Sequence, residues 1–126
     1  MRALKSAAAV LAVALLGQGN ARAAEPVVET PECKALASTL PSPGRAIKFG
    51  LPRYPRALIS RKVVPSGYVL TGFHLGDDGV PQDIKVLCEI PSGLGFGEAA
   101  TQAVAETIYP SGKAGDYGRV TRFQVK

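Results

Sequence analysis

The run Phe73 to Leu87, FHLGDDGVPQDIKVL, holds the groups in this chain best suited to chemistry. Asp77, Asp78 and Asp83 fall within seven residues of one another, beside His74, the only histidine. Carboxylates and an imidazole are the parts of a metal site or an acid–base pair, but the spacing argues against both. A calcium loop alternates its oxygen ligands and closes on a bidentate glutamate; Asp-Asp-Gly-x-x-x-Asp does neither. A general acid needs a desolvated carboxyl to lift its pKa, and a turn is among the most exposed positions of a chain. Asp-Gly between alternating strands is instead a strong hairpin signal, since Asp tolerates left-handed backbone and hydrogen-bonds its own turn. The stretch reads as a hairpin tip, with Gly79 at positive φ and His74 an exposed strand residue. With one histidine, no Ser-His-Asp or Cys-His set can be assembled without it. No catalytic residue, metal ligand or cofactor is expected. The chain reads as a binding module, and an enzyme built on Asp77, Asp78 and His74 is the weaker alternative.

A hairpin tip needs strands to carry it. GYVLTGFHL, from Gly67, alternates Val69, Thr71, Phe73 and Leu75 on one face with Tyr68, Leu70, Gly72 and His74 on the other. After the turn, Ile84, Val86 and Cys88 alternate with Asp83, Lys85 and Leu87, and Pro81 stands at the strand's start, where a missing N–H is tolerated. In FGEAATQAVAETIY, Phe96, Ala99, Ala100, Ala103, Val104 and Ile108 form a stripe of helical period, with Glu98 in the first turn. DYGRVTRFQVK reads as a closing strand with Thr121, Phe123 and Val125 on one face. Ahead of these, YPRALISRKV places Tyr54, Ala57, Leu58 and Arg61 at helical spacing, with Pro55 in the first turn. The order helix, strand, strand, helix, strand predicts an α+β fold: two helices packed on one face of a three-stranded antiparallel sheet.

The length of 126 residues holds one small domain. Residues 1–23 read as a cleaved signal peptide: Arg2 and Lys5, an apolar run from Ala7 to Leu16, and Ala21-Arg22-Ala23 before the cut. The run is about half the ~20 residues a membrane span needs. Residues 24–50 form a Pro-rich lead-in in which CKALASTL suits two helical turns and AIKF a short extended piece; the domain proper is 51–126. Arg2, Lys5 and Arg22 account for three of the 15 basic residues, which leaves 12 against 10 acidic, or +2. That balance, in an exported chain, makes nucleic acid an improbable partner. Lys34, Arg45, Lys48, Arg53, Arg56, Arg61 and Lys62 run without an acidic residue between Glu32 and Asp77. They read as a solvated face, the competing reading being a docking patch. Cys33 and Cys88 enter an oxidising compartment, where an even count favours a disulfide; two free thiols are the alternative.

Six pieces in order, YPRAL, GYVLTGFHL, DDGVPQDIKV, FGEAATQAV, IYPSG and RFQV, resemble the TonB C-terminal domain over Leu51 to Lys126. The resemblance implies the same helix and sheet arrangement. It also implies a periplasmic domain that grips an extended segment of an outer-membrane transporter or other envelope protein by adding it as a strand to the sheet's last edge. Carried onto this sequence, that edge is Gly118, Arg119, Val120, Thr121, Arg122, Phe123 and Gln124, with Tyr54 and Pro55 near the bound segment. The competing reading of Tyr54 is a core aromatic that staples the first helix. Pairing of two copies through the same edge gives a homodimer as a further expectation. The alternative role is an inner-membrane-anchored energy transducer with its leader retained. Two positions depart from the family pattern: Thr107 stands where a tryptophan is usual, and Gly97 where an acidic helix cap is common.

Overall fold

The computed structural model describes residues 23–24 and 29–124. Apart from Ala23 the expected leader lies outside them, as does Val125. The elements are β1 (Ala23–Ala24), α1 (Pro31–Ser38), a short 3-10 helix (Arg56–Leu58), β2 (Val63–Val64), β3 (Gly67–Leu75), β4 (Pro81–Ile90), α2 (Phe96–Ala105) and β5 (Gly115–Phe123). β1 and β2 form a small parallel pair, Ala23 opposite Val63 and Ala24 opposite Val64, so the expected cleavage point falls between the two residues of β1. The main sheet is antiparallel with order β4-β3-β5. Two α-helices and this three-stranded sheet make the α+β fold that the patterning predicts. Among the described residues, no helix is long and apolar enough to cross a membrane.

The alternation in β3 creates two cores. On one face Val69 packs with Leu58, Phe96, Ala100 and Phe123, while Phe73 and Leu75 pack with Val104 and Tyr109. On the other, Tyr68 and Leu70 pack with Cys33 of α1, with Ala37, Cys88 and Val120 around them. The Cys33–Cys88 disulfide, Cα–Cα 6.1 Å, joins α1 to β4 across that second face. α2 and the 3-10 turn therefore share the face expected for two helices, and α1 covers the opposite one.

Local chemistry explains each helix. Thr30 caps α1 by accepting from the Cys33 N–H at 3.2 Å, and Pro31 occupies its first turn. The α2 stripe buries Phe96, Ala100, Ala103 and Val104 as expected. Its N-terminus is served from β4, where Glu89 Oε2 accepts from the Gly97 N–H at 3.0 Å. The carboxylate thus meets the positive end of the helix dipole from outside the helix. Gly97 leaves room for it: a Cβ there would lie 2.7 Å from Glu89 Oε1.

Three local expectations are corrected. Residues 54–61 make only the 3-10 turn, with Leu58 N–H to Pro55 O at 3.1 Å and Ile59 N–H to Arg56 O at 3.1 Å. The β-branched Val63 and Val64 and then Pro65 follow at once, so a longer helix has no sequence to grow into. In β4 the simple alternation fails, because the pairing with β3 shifts between Leu70 and Thr71 and again between Gly72 and His74. An extra residue reverses the faces that follow. Ile84 consequently packs with Phe73 and Leu75, Cys88 packs on the opposite face with Leu70, and Val86 is exposed. Ile108 leaves the helical stripe: it lies beyond α2, exposed, in a bridge with Lys48, and Tyr109 takes the core position.

Candidate partner-binding edge

The two free sides of the sheet differ in kind. β4 carries both register shifts and holds Asp83 at φ +51°, which interrupts its row of outward groups. β5 pairs with β3 without a shift from Gly115 to Phe123. An unbroken ladder leaves every second residue of the outer strand with its N–H and C=O directed away from the sheet. Gly118 belongs to that set, since its N–H goes to Pro41 O at 3.0 Å rather than to β3. Asp116, Val120 and Arg122 share its parity. Val120 and Arg122 therefore point their amides the same way, where the sequence left open which of the two does.

Part of this edge is already occupied. From α1 the chain passes over Gly118 and around β5 to the C-terminal end of α2. A Cβ at Gly118 would meet the Leu40 Cβ at 2.8 Å, so the crossing depends on glycine. Beyond it, Ile47 and Lys48 donate to Ile108 O at 2.8 and 3.1 Å, and Ile108 donates to Lys48 O at 2.8 Å. Thr107 Oγ1 fixes the far end: it accepts from Gly50 N at 2.9 Å and Arg119 Nη1 at 3.1 Å, and donates to Ala103 O at 2.7 Å. Arg119 Nη2 donates to Gly50 O at 3.0 Å, and the guanidinium lies 4.2 Å from the centre of the Phe49 ring. Burial pulls the Arg119 guanidinium below its ordinary pKa, opposed by Tyr109. On the other side of the crossing, Arg122 Nε donates to Glu29 Oε2 at 2.8 Å. That bond holds the Glu29 carboxyl below its ordinary pKa.

The structure thus divides the residues expected at the edge. Gly118 and Arg119 are engaged by the lead-in. Val120 packs beside the disulfide, Arg122 is exposed above the Tyr68 ring at 5.7 Å, and Gln124 is exposed. Thr121 and Phe123 point into the α2 side, and Phe123 lies 5.0 Å from the Phe96 ring. Tyr54 and Pro55 stand on the α2 face. The Tyr54 ring meets Phe96 edge-on at 5.5 Å and its hydroxyl donates to Pro65 O, which is the stapling role; Pro55 lines a groove along α2. Sequence reasoning missed Glu29, Leu40, Pro41, Phe49 and Gly50 as occupants of the edge. Only Gly50 carried a usable signal, a glycine closing the extended AIKF piece. Thr107, where the domain that the sequence resembles usually has a tryptophan, is the polar anchor of this crossing.

Thr121 offers a check on the side chain that points inward. Its Oγ1 is buried and, among the described residues, has no hydrogen-bond partner. An unsatisfied hydroxyl costs about 1–3 kcal/mol, so Thr121→Val is expected to raise the urea midpoint by the equivalent of about 1 kcal/mol. Partner binding should not change. A destabilised Thr121→Val protein would show that the hydroxyl is satisfied after all.

The acidic residues that opened the sequence lie at the far end of β3. Asp78 Oδ1 accepts from Val80 N at 3.1 Å, Gly79 holds φ +83°, and His74 Nδ1 lies 2.9 Å from Asp116 Oδ1 with both side chains exposed. Among the described residues, no three His, Cys, Asp or Glu side chains gather as a metal site.

A three-stranded antiparallel sheet with an unbroken C-terminal edge, covered by a helix that follows a hairpin, is a TonB-like fold. The TonB2 protein of Vibrio anguillarum has a solved structure that matches at TM-score 0.53 and 21% identity, covering 81% of this chain and 98% of that one. No family model and no curated protein matches the sequence.

Proposed function

We propose that this chain is a periplasmic protein-binding module, linked to TonB-dependent transport, that accepts an extended segment of an outer-membrane transporter or other envelope protein along β5. The supporting observation is the unbroken outer side of β5, where Val120 and Arg122 direct backbone groups away from β3. An added strand takes its affinity from those groups and its selectivity from the flanking side chains. The crossing at Gly118 limits the open length to Val120–Gln124. Arg122 favours an acidic residue on the incoming strand, which would replace Glu29. The module works without catalysis: Asp77 and Asp78 serve the hairpin turn, and His74 is an exposed strand residue.

Proline at the edge tests this reading. Arg122→Pro removes an outward N–H from an exposed position, and Val120→Pro does so with some loss of packing near the disulfide. Both proteins should keep their circular dichroism spectrum, and Arg122→Pro should abolish capture of transporter-derived segments presented as immobilised peptides. If both fold and bind like the parent, β5 is not the binding edge and the assignment fails. The anchored-transducer alternative is separated by mass spectrometry of the chain from its host: a mature N-terminus at Ala24 removes it.

A further inference from the structure

Two rows of side chains cross the sheet on the α1 face, and both stop at β5. One is Cys88, Leu70, Val120; the other is Ile90, Tyr68, Arg122. The first row is apolar and runs out into a groove of about 380 Å³, lined by Ala37, Leu40, Leu70 and Val120 and, around the edge of β5, by Phe49 and Arg119. Ala37, Leu40 and Val120 are half-buried there, and Phe49 is exposed. The second row ends on the Arg122 guanidinium, which holds the Glu29 carboxylate at 2.8 Å. Gly118 closes the edge beside the groove: its N–H is taken by Pro41 O, and Leu40 lies over it. A strand laid on β5 must therefore begin its pairing at Val120.

We infer that the segment accepted by β5 is recognised by two side chains spaced two residues apart, a bulky apolar one opposite Val120 and an acidic one opposite Arg122. This rests on the strand addition at β5 proposed above. Residues directly opposite each other on neighbouring strands share a face, with their β carbons about 4.5–5.5 Å apart. The residue opposite Val120 thus extends the Cys88–Leu70–Val120 row and places its side chain in the groove beside Leu40. Two residues along, the chain returns to the same face, and a carboxylate there takes the place of Glu29 on Arg122. The crossing at Gly118 acts as a register stop. A slip of two residues towards Gly118 runs into Pro41, and the opposite slip sets the apolar side chain against Arg122. A slip of one residue turns both side chains to the wrong face.

The test is fluorescence anisotropy of labelled peptides, each a serine–threonine host carrying one leucine and one glutamate, titrated with the mature chain. Leu-x-Glu and Glu-x-Leu cover the two strand directions. One of them should bind at least about tenfold more tightly than the same peptide with serine for leucine. Moving the glutamate next to the leucine puts the two on opposite faces and should cost as much. On the protein side, Ala37→Asp should weaken the leucine peptide about tenfold and shift the preference to a peptide with lysine in that place. Circular dichroism checks that this variant is folded, and the peptide series on the parent protein does not depend on it. Peptides that lose binding in Arg122→Pro, yet bind the parent equally with serine for leucine, overturn the inference and leave the edge reading standing. So do peptides that bind equally with leucine and glutamate adjacent. Binding of no peptide, or binding untouched by Arg122→Pro, removes the edge reading and this inference with it.

Discussion

Gly79→Val is expected to destabilise the domain by more than about 3 kcal/mol, and at the least to melt the hairpin end of the sheet. Two effects add. A β-branched residue at φ +83° is strained by about 1–3 kcal/mol. Independently, a Cβ there would lie 2.8 Å from the Tyr109 carbonyl carbon and closer still to its oxygen. Relief of that clash breaks the clamp that joins the hairpin to the segment after α2. In that clamp Tyr109 N–H donates to Gly79 O and Gly112 N–H donates to Asp77 O, each at 2.9 Å. Asp77→Asn and Asp78→Asn are the controls: an amide oxygen can still accept from Val80 N, so both should stay within about 0.5 kcal/mol of the parent in urea unfolding. A stable Gly79→Val protein, or loss of partner binding in either Asn variant, would mean the turn has been misread.

Cys33→Ser is expected to cost about 4 kcal/mol. The bond closes a sequence separation of 55 residues, and the chain-entropy model places such a constraint in that range. Cys33 is also buried against Tyr68 and Leu70, so α1 should loosen along with the lead-in that follows it. The specific readout is hydrogen exchange at Gly118, whose amide is protected by Pro41 O. That amide should exchange faster in Cys33→Ser than in the parent, while Tyr68 to Phe73 keep their order of protection. Free thiols at both cysteines in the folded, air-oxidised protein would remove the basis of the prediction.

The hairpin, α2 and β5 were legible because each depends on local rules. Asp-Gly sets the turn, the two faces of β3 alternate without interruption, and the α2 stripe keeps a helical period. The disulfide was read from the expected compartment and an even count. What was not legible depends on contacts distant in sequence. The β4 shifts are chosen by what β3 and α1 require, and Ile84 and Cys88 end on opposite faces although the sequence spaces them for one. Residues 54–61 keep helical spacing but lack the length to use it. The β5 edge was legible as a strand. Its partial occupation was not, because Gly118 meets Pro41 and Arg119 meets Gly50 across long separations that no local pattern announces. Thr107 stood out as a departure from the resembled pattern and could not be given a role until Gly50 and Arg119 were seen beside it.

The disulfide also sets how the domain carries a mechanical load. Along the covalent path, a pull applied just ahead of Cys33 bypasses β3 and the part of the lead-in that follows Cys33. It crosses the sulfur–sulfur bond and enters the sheet at Cys88, late in β4. The 54 residues between the cysteines, 34–87, lie in a bypassed loop that cannot lengthen while the bond is intact. Without the bond the same stretch could pay out roughly 180 Å at full extension. The oxidised protein is thus a short, stiff link whose hairpin and edge crossing are shielded from tension. The reduced protein is a compliant one that would shed its crossing over β5 before the sheet itself is loaded.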